Sequence, residues 1–526
     1  MNDSCLLPEL VARSAERFPE NIALTHGKES MTYAALRDHV RRFASGIVGL
    51  GFPRGGRVAI YLEKRFETVI ASFGTSAAGG AFVPINPLLK PAQVAHILRD
   101  CGAHVLLTSP ERHTLLGETP TALPDLRHVV LTGDPIESPT PADAYSRVGW
   151  DALLATSPQP GHRVIDADMT AILYTSGSTG QPKGVVLSHR NMVAGAKSVA
   201  SYLENTADDT LLAALPLSFD AGFSQLTTAF HVGARVVLLN YLLPRDVLKA
   251  LDGARVTGLT AVPPLFIQLA QLDWPATIAE HLRYFANTGG RLPCETLTAL
   301  RARLPKSKPF LMYGLTEAFR STFLPPDEID RRPDSIGKAI PNAEILVLRE
   351  DGTPCAPNEP GELVHRGALV GMGYWNDPER TAERYRPLPP AASGLTLPER
   401  AVWSGDTVRR DKDGFLYFVG RRDEMIKTSG YRVSPTEIEE VFYATKMVGE
   451  CAAFGVDHPT LGQAIRVIVT PPVGDGELDV AALFVECRKC LPAYMVPHGI
   501  EVSTVPLPRN PNGKIDRRAL AQQKSK

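Results

Sequence analysis

Excess charge of either sign is missing from this 526-residue chain: 56 Lys and Arg stand against 57 Asp and Glu, a formal net charge of -1. That balance excludes a global electrostatic footprint for nucleic acid or a membrane surface, while leaving room for a local basic patch. Cysteine is scarce, seven in all and without a framework. Cys487 and Cys490 form a lone C-x-x-C with no second pair and no neighbouring His, so reduced thiols on a helix are expected rather than a zinc or redox site. The opening Met1-Asn-Asp-Ser-Cys5 lacks the basic n-region and apolar core of a signal peptide, and the expected location is the cytoplasm. One uncharged run, residues 69–89, raises the question of a membrane span. It holds Gly79-Gly80, Pro84 and Pro87, which predict a buried helix followed by a turn. Repeats are absent, and the only low-complexity stretch is the polar end from Gln522 to Lys526.

What is present is the composition of an ordinary globular protein, 44% hydrophobic and 21% charged, in a chain too long for one hydrophobic core. Leu36, Val40, Phe43 and Ile47 recur at helical spacing until Gly51. Short apolar strands then alternate with helical stretches, at 57–62, 104–108, 128–131 and 234–239, which predicts α/β layers with largely parallel sheets. From about Ser335 the texture changes: 344–348 and 361–365, separated by Gly/Pro turns, read as a compact antiparallel unit. Residues 386–400, rich in Pro and Ala, read as a surface loop. A helix with Ile438, Val441 and Phe442 on one face and strands near 452–456 and 465–469 predict a small α+β domain at the end. The expected division is 1–422 and 423–526.

The most telling segment is Tyr174-Thr-Ser-Gly-Ser-Thr-Gly-Gln-Pro-Lys-Gly-Val185. Three glycines let a backbone approach an anion, and hydroxyls and a lysine supply donors around it, as a nucleotide phosphate requires. The P-loop of NTPases needs Gly-Lys-Ser/Thr opening a helix; here Pro182 precedes Lys183 and Gly184 follows, so that template fails. Alone, the segment would match a flexible surface loop equally well.

It is followed in order by Tyr313-Gly-Leu-Thr-Glu317, Trp403-Ser-Gly-Asp406, Gly420-Arg-Arg-Asp423 and Asn510-Pro-Asn-Gly-Lys514. The set, spanning roughly 32–520, resembles the adenylate-forming superfamily of acyl-CoA synthetases, peptide-synthetase adenylation domains and luciferases. The resemblance implies a large N-terminal domain of layered α/β sheets with an antiparallel β subdomain, and a small mobile α+β C-terminal domain. It implies ATP and Mg²⁺, and a carboxylate that attacks the α-phosphate to give an acyl-adenylate. By resemblance, Thr175, Ser176, Gly177, Ser178, Thr179, Gly180 and Lys183 cradle the β- and γ-phosphates. Glu317 holds Mg²⁺ and Thr316 contacts the α-phosphate. Tyr313, with Gly314, stacks on adenine, and Gly289, Gly290 and Arg291 line that pocket. Asp406 accepts from the ribose hydroxyls with Arg421 in support. Lys514, after the Asn512-Gly513 turn, bridges the acid and the α-phosphate. Asp423 matches the hinge, and Ser429-Gly430-Tyr431 the loop that replaces Lys514 for the thioester step.

The acid and the acceptor are less defined. Phe219 matches an aromatic gate to the pantetheine tunnel, and Asp220 the aspartate that pairs with a substrate amine in amino-acid-activating members. Ser224 and Met312 match acyl-pocket positions. Arg320 stands where a pocket side chain is expected, and three readings are open for it: an ion pair with Asp220, a second substrate carboxylate, or solvent, the last favoured by base rates for arginine. A small or polar amino acid is the expected substrate. With no carrier domain after Leu520, a free-standing holo carrier protein is the expected acceptor and CoA the alternative; neither nucleic acid nor membrane is an expected partner. Arg421, Arg422, Arg488 and Lys489 could dock an acidic carrier.

Overall fold

A computed structural model describes residues 4–133, 145–175, 182–389, 398–421, 424–428, 431–458, 460–472, 478–511 and 513–524. Among them lie three sheets. An eight-stranded sheet has Arg57–Tyr61, Val105–Thr108, His128–Leu131 and Ser146–Gly149 running parallel on one side of its centre. On the other side Ala81–Pro84 leads to the antiparallel pair Met169–Thr175 and Lys183–Ser188. A 14-stranded sheet contains the parallel run Arg235–Leu238, Thr210–Ala213, Gly258–Ala261, Tyr284–Asn287 and Lys308–Tyr313. A five-stranded sheet, built from Ile426–Thr428 onward, forms the C-terminal unit.

The parallel strands are apolar along their length because both faces are covered; Ala81–Pro84, Val105–Thr108 and Tyr284–Asn287 are buried at every position. Helices His189–Tyr202 and Asp220–Val232 pack on each other between the two large sheets. Met192, Ala196, Phe223 and Phe230 join Val58 and Leu107 of one sheet to Val236 and Phe310 of the other in a single core. Residues 69–89 form a helix, Phe66–Ala78, ended by Gly79 at φ 87°, and then a strand. No helix among the described residues is long and apolar enough to cross a membrane.

The antiparallel region is less separate than its composition suggests. Ala343–Leu348 and Gly361–Gly367 do pair antiparallel. Yet Ser335–Ala339 also pairs with Thr322–Leu324, which pairs with Lys308–Tyr313, so the region continues the parallel sheet edge to edge. Gly337 permits the turn-in: at φ 83° an added Cβ would lie 1.8 Å from the Phe323 carbonyl oxygen. Of the stretch read as a surface loop, Tyr385–Pro387 pairs with the strand Arg400–Arg410, and residues 390–397 lie outside the described residues. Cys487 and Cys490 are free thiols on the helix Val480–Cys490.

Candidate active site

Four neighbouring parallel strands deliver the site from their C-terminal ends, where open α/β sheets place ligands. Thr210–Ala213 leads to Phe219 and Asp220, Gly258–Ala261 to Val262-Pro263, Tyr284–Asn287 to Thr288-Gly289-Gly290-Arg291, and Lys308–Tyr313 to Gly314, Thr316 and Glu317. The strand register keeps these ends level, with Ala261 opposite Asn287 and Asn287 opposite Leu311.

Lys514 reaches this edge from the C-terminal unit. Arg509 and Ile515 bridge as antiparallel partners, Asn510 N–H donates to the Lys514 carbonyl at 2.8 Å, and Gly513 turns at φ 82°. The turn is anchored across the cleft by Asn86 Nδ2 donating to the Pro511 carbonyl at 2.6 Å. Lys514 Nζ sits 5.7 Å from the centre of the Phe219 ring. Gly289 leaves room for its stem: a Cβ there would lie 2.9 Å from Lys514 Cε. Burial depresses the Lys514 ammonium, opposed by Asp220 and reinforced by Arg421. Arg291 turns to Glu440 of the C-terminal unit at 3.7 Å, and Glu440 also accepts from Cys294 N–H at 3.0 Å.

The polar residues at the other end hold one another. Lys183 Nζ lies 3.3 Å from Glu317 Oε1 and donates to the Tyr374 hydroxyl at 2.7 Å, while that hydroxyl donates to Glu317 Oε1 at 2.6 Å. Burial would raise the Glu317 carboxyl, but Lys183, Tyr374 and Arg384 outweigh it and keep the group below its ordinary range. Tyr313 donates to Asp406 Oδ2 at 2.5 Å, and Arg421 Nε stands 3.3 Å from Asp406 Oδ1. Both loop flanks are tied to one helix: Tyr174 donates to Asp100, and His96 Nε2 lies 3.2 Å from the Pro182 carbonyl. Thr175 Oγ1 is buried with no hydrogen-bond partner among the described residues. A phosphate-bearing nucleotide fits this donor set: an ammonium, a guanidinium and a spare hydroxyl, with one carboxylate left for a cation or ribose at each end.

Asp220 and Arg320 are both 3% exposed, with Arg320 Nη1 3.9 Å from Asp220 Oδ2 and 3.2 Å from Thr288 Oγ1. The solvent reading of Arg320 is therefore corrected. Its inward turn follows from Phe319, held at φ 55° with its ring in the core against Gly195, where a Cβ would come within 2.4 Å of the ring. Arg320 lines a cavity with Ser224, Met312, Gln225, Thr228 and Thr260. The cavity is narrow, with about 10 Å³ free for the centre of a water. Burial raises the Asp220 carboxyl, opposed by Arg320 and Lys514.

Of the other expected positions, Gly314 lies against Arg320, a Cβ there meeting Arg320 Cα at 3.3 Å, and Thr316 is buried. Tyr431 stacks on Tyr494 at 4.0 Å within the C-terminal unit. Ser176, Gly177, Ser178, Thr179, Gly180, Asp423, Ser429 and Gly430 lie outside the described residues. Tyr374, Arg384, Gln225 and Thr228 were not anticipated. The Gly371-Met-Gly-Tyr374 stretch was the only trace of Tyr374, and its link to Glu317 needs Gly373–Tyr374 paired with Lys183–Ser188.

Residues 11–375 match the family model for the AMP-binding enzyme, and residues 437–514 that for the AMP-binding enzyme C-terminal domain. A long-chain-fatty-acid–CoA ligase of Salmonella typhimurium is 32% identical over 98% of this chain and 94% of its own length. Surfactin synthase subunit 1 of Bacillus subtilis is 31% identical over 97% of this chain, which spans 14% of that protein. Among solved structures, an anthranilate CoA ligase superposes with a TM-score of 0.87 at 24% identity, covering 98% of this chain and 97% of its own, a likeness of fold. The o-succinylbenzoate coenzyme A synthetase of Bacillus subtilis, solved with ATP and a magnesium ion, gives 0.80 at 26% identity over 98% and 99%. This chain belongs to the AMP-binding enzymes, the adenylate-forming superfamily, and is an AMP-forming ligase that activates a carboxylic acid with ATP and Mg²⁺.

Proposed function

We propose that the protein adenylates a small, polar carboxylic acid and passes the acyl group to the thiol of coenzyme A. The observation that carries the reading is the approach of Lys514, brought from the C-terminal unit, to Phe219, two residues before Ala221 in the wall of a narrow cavity of mixed polarity. An acid oxygen bonds to the α-phosphorus while the bond to the bridging oxygen breaks and pyrophosphate leaves. Two anions must meet in that step, and Lys514 places a cation between them. Asp406, steadied by Tyr313 and Arg421, takes the ribose hydroxyls, and the Tyr313 ring and Gly289-Gly290 take adenine. Thr175, Lys183, Thr316 and the intervening loop hold the phosphates. Mg²⁺, held through Glu317, supplies charge neutralisation at the phosphate oxygens.

Residues 423–526 then act as a mobile unit. Asp423 is the hinge, Lys514 withdraws, and Ser429-Gly430-Tyr431 takes its place. The thiol sulfur bonds to the acyl carbon as the carbon–oxygen bond to AMP breaks, and the thiol proton passes to solvent. Likeness to coenzyme A ligases along nearly the whole chain supports this acceptor. The narrowness of the cavity argues against the long chains named for the fatty-acid relatives.

A second reading, an amino acid loaded on a separate carrier protein, is favoured by Asp220, whose buried Oδ1 has no hydrogen-bond partner among the described residues and suits an ammonium. The likeness to surfactin synthase supports it too. ATP–pyrophosphate exchange over a panel of acids, then mass spectrometry with free coenzyme A or a holo carrier protein, separates them. A coenzyme A thioester is expected; product on the carrier alone selects the second reading, and absence of exchange with every acid removes both.

A further inference from the structure

Part of the acyl cavity's wall carries polar atoms with nothing to hold. Among the described residues, Arg320 Nε, Gln225 Oε1 and Thr228 Oγ1 of its lining, and Asp220 Oδ1 next to the lining residue Ala221, are buried without a hydrogen-bond partner. A native core satisfies nearly all such groups, and orphans gathered round one cavity point to a ligand that completes them. Their chemistry is uneven. Gln225 Nε2 already donates to the Leu212 carbonyl, which fixes its amide and leaves the oxygen facing away from that bond. Arg320 is the one guanidinium lining the cavity.

A buried guanidinium calls for a hydrogen-bonded anion, and a planar carboxylate meets its fork best. Asp220 does not fill that place: the pair stands at 3.9 Å, beyond hydrogen-bond reach. Lys514 at the Phe219 ring and Arg320 beside the next residue, Asp220, therefore mark two cationic positions. A substrate carboxylate at Lys514 satisfies the first. A second anionic group on the same small molecule satisfies the last.

We propose that Arg320 binds a second carboxylate of the substrate, so that the acids activated are short dicarboxylic acids. This rests on the ligase reading above and adds its specificity. The second carboxylate takes the Arg320 fork, the Thr228 hydroxyl donates to it, and Asp220 stays free to pair with an amine where the acid carries one. The apolar wall of Val199, Leu203 and Leu211 covers the methylene spacer.

The test is ATP–pyrophosphate exchange by the full-length protein on matched pairs: glutamate against glutamine, aspartate against asparagine, succinate against butyrate. In each pair that reacts, the dicarboxylic member is expected to have at least about tenfold higher kcat/KM, the discrimination a site built for a polar group achieves against an analogue lacking it. Arg320→Gln is expected to collapse that ratio to near one or invert it, and Arg320→Lys to keep part of it. Should Arg320→Gln fail to fold, the wild-type ratios and the Lys variant still decide. Equal or better exchange with the amide and alkyl members overturns the proposal, as does a ratio that survives Arg320→Gln. Exchange confined to monocarboxylic acids sinks this inference alone, whereas exchange with no acid removes the ligase reading beneath it.

Discussion

The two ends of the cleft solve opposite problems. At the nucleotide end both carboxylates are held at 2.5–3.3 Å, Glu317 by Lys183 and Tyr374 and Asp406 by Tyr313 and Arg421, and Thr175 Oγ1 is the spare hydroxyl. At the acyl end Asp220 and Arg320 face each other at 3.9 Å, and polar atoms are left without partners. The first arrangement is preorganised, so its dipoles need little rearrangement when charge develops. The second leaves groups desolvated at a cost of about 1–3 kcal/mol each, tolerable where a ligand restores the bonds. On the function proposed above, nucleotide chemistry is built in and selection among acids falls to whatever completes the inner end.

The strongest way to break that contrast is to remove the charge at the point where the ends meet. Lys514→Ala is expected to slow pyrophosphate exchange by about a hundred- to a thousandfold, the usual scale of one electrostatic contact in a transition state. Thioester formation from supplied acyl-adenylate should persist, and equal loss of both half-reactions would deny Lys514 its separate role. The pH profile carries the same signature. Burial depresses the ammonium, and the cation is the form required, so exchange should fall as pH rises at values below the ordinary lysine range near 10.5. Lys514→Arg, which stays charged, should lose that alkaline limb.

A smaller perturbation sharpens the contrast from the nucleotide side. Asp406→Ala removes the buried carboxylate that accepts from Tyr313. Hydrogen bonds to a charged group are worth about 1.5–3 kcal/mol, so the KM for ATP should rise about ten- to a hundredfold. The KM for the acid should move little. If both rise together, the ends are one coupled unit and the division drawn here is wrong.

How much of this was legible depended on whether a residue's neighbours were close in sequence. Strand and helix positions along the two large sheets follow from apolar runs and turn residues, and Tyr313, Glu317 and Asp406 stand in short motifs whose spacing is local. Tyr374 was hidden because its bond to Glu317 spans 57 positions and depends on an antiparallel pair with Lys183–Ser188. Arg320 was misjudged because exposure is the ordinary state of arginine, and only Phe319, pinned at positive φ opposite Gly195, turns it inward. The joining of the antiparallel region to the parallel sheet was likewise invisible, since Gly337 is one glycine among 43 until its contact with Phe323 is known.

The smallest expected effect concerns what supports the acyl end from behind. Lys64 is buried with its ammonium donating to the Ala214 carbonyl at 3.1 Å and lying 3.5 Å from that of Leu215, on the segment that leads to Phe219 and Asp220. Burial, with no carboxylate hydrogen-bonded to it among the described residues, lowers its pKa to about 8. Between that value and the unfolded value near 10.5 the unfolded chain holds more protons, so this group makes folding more favourable as pH rises through that window. The gain is bounded at about 3 kcal/mol. Below about pH 8 both states are protonated and the burial penalty is constant. Lys64→Met exchanges a desolvated cation and two carbonyl contacts for a flexible apolar chain, terms of opposite sign that should leave stability at pH 7 within about 1 kcal/mol. Denaturant unfolding of both proteins from pH 7 to 10 isolates the term as the difference in slope, since other titrating groups are shared. A difference that stays flat would mean Lys64 reaches solvent or an anion. If the slope appears, and the KM for the acid rises a few-fold while that for ATP holds, the clamp on Ala214 and Leu215 belongs to the acid and not to the nucleotide.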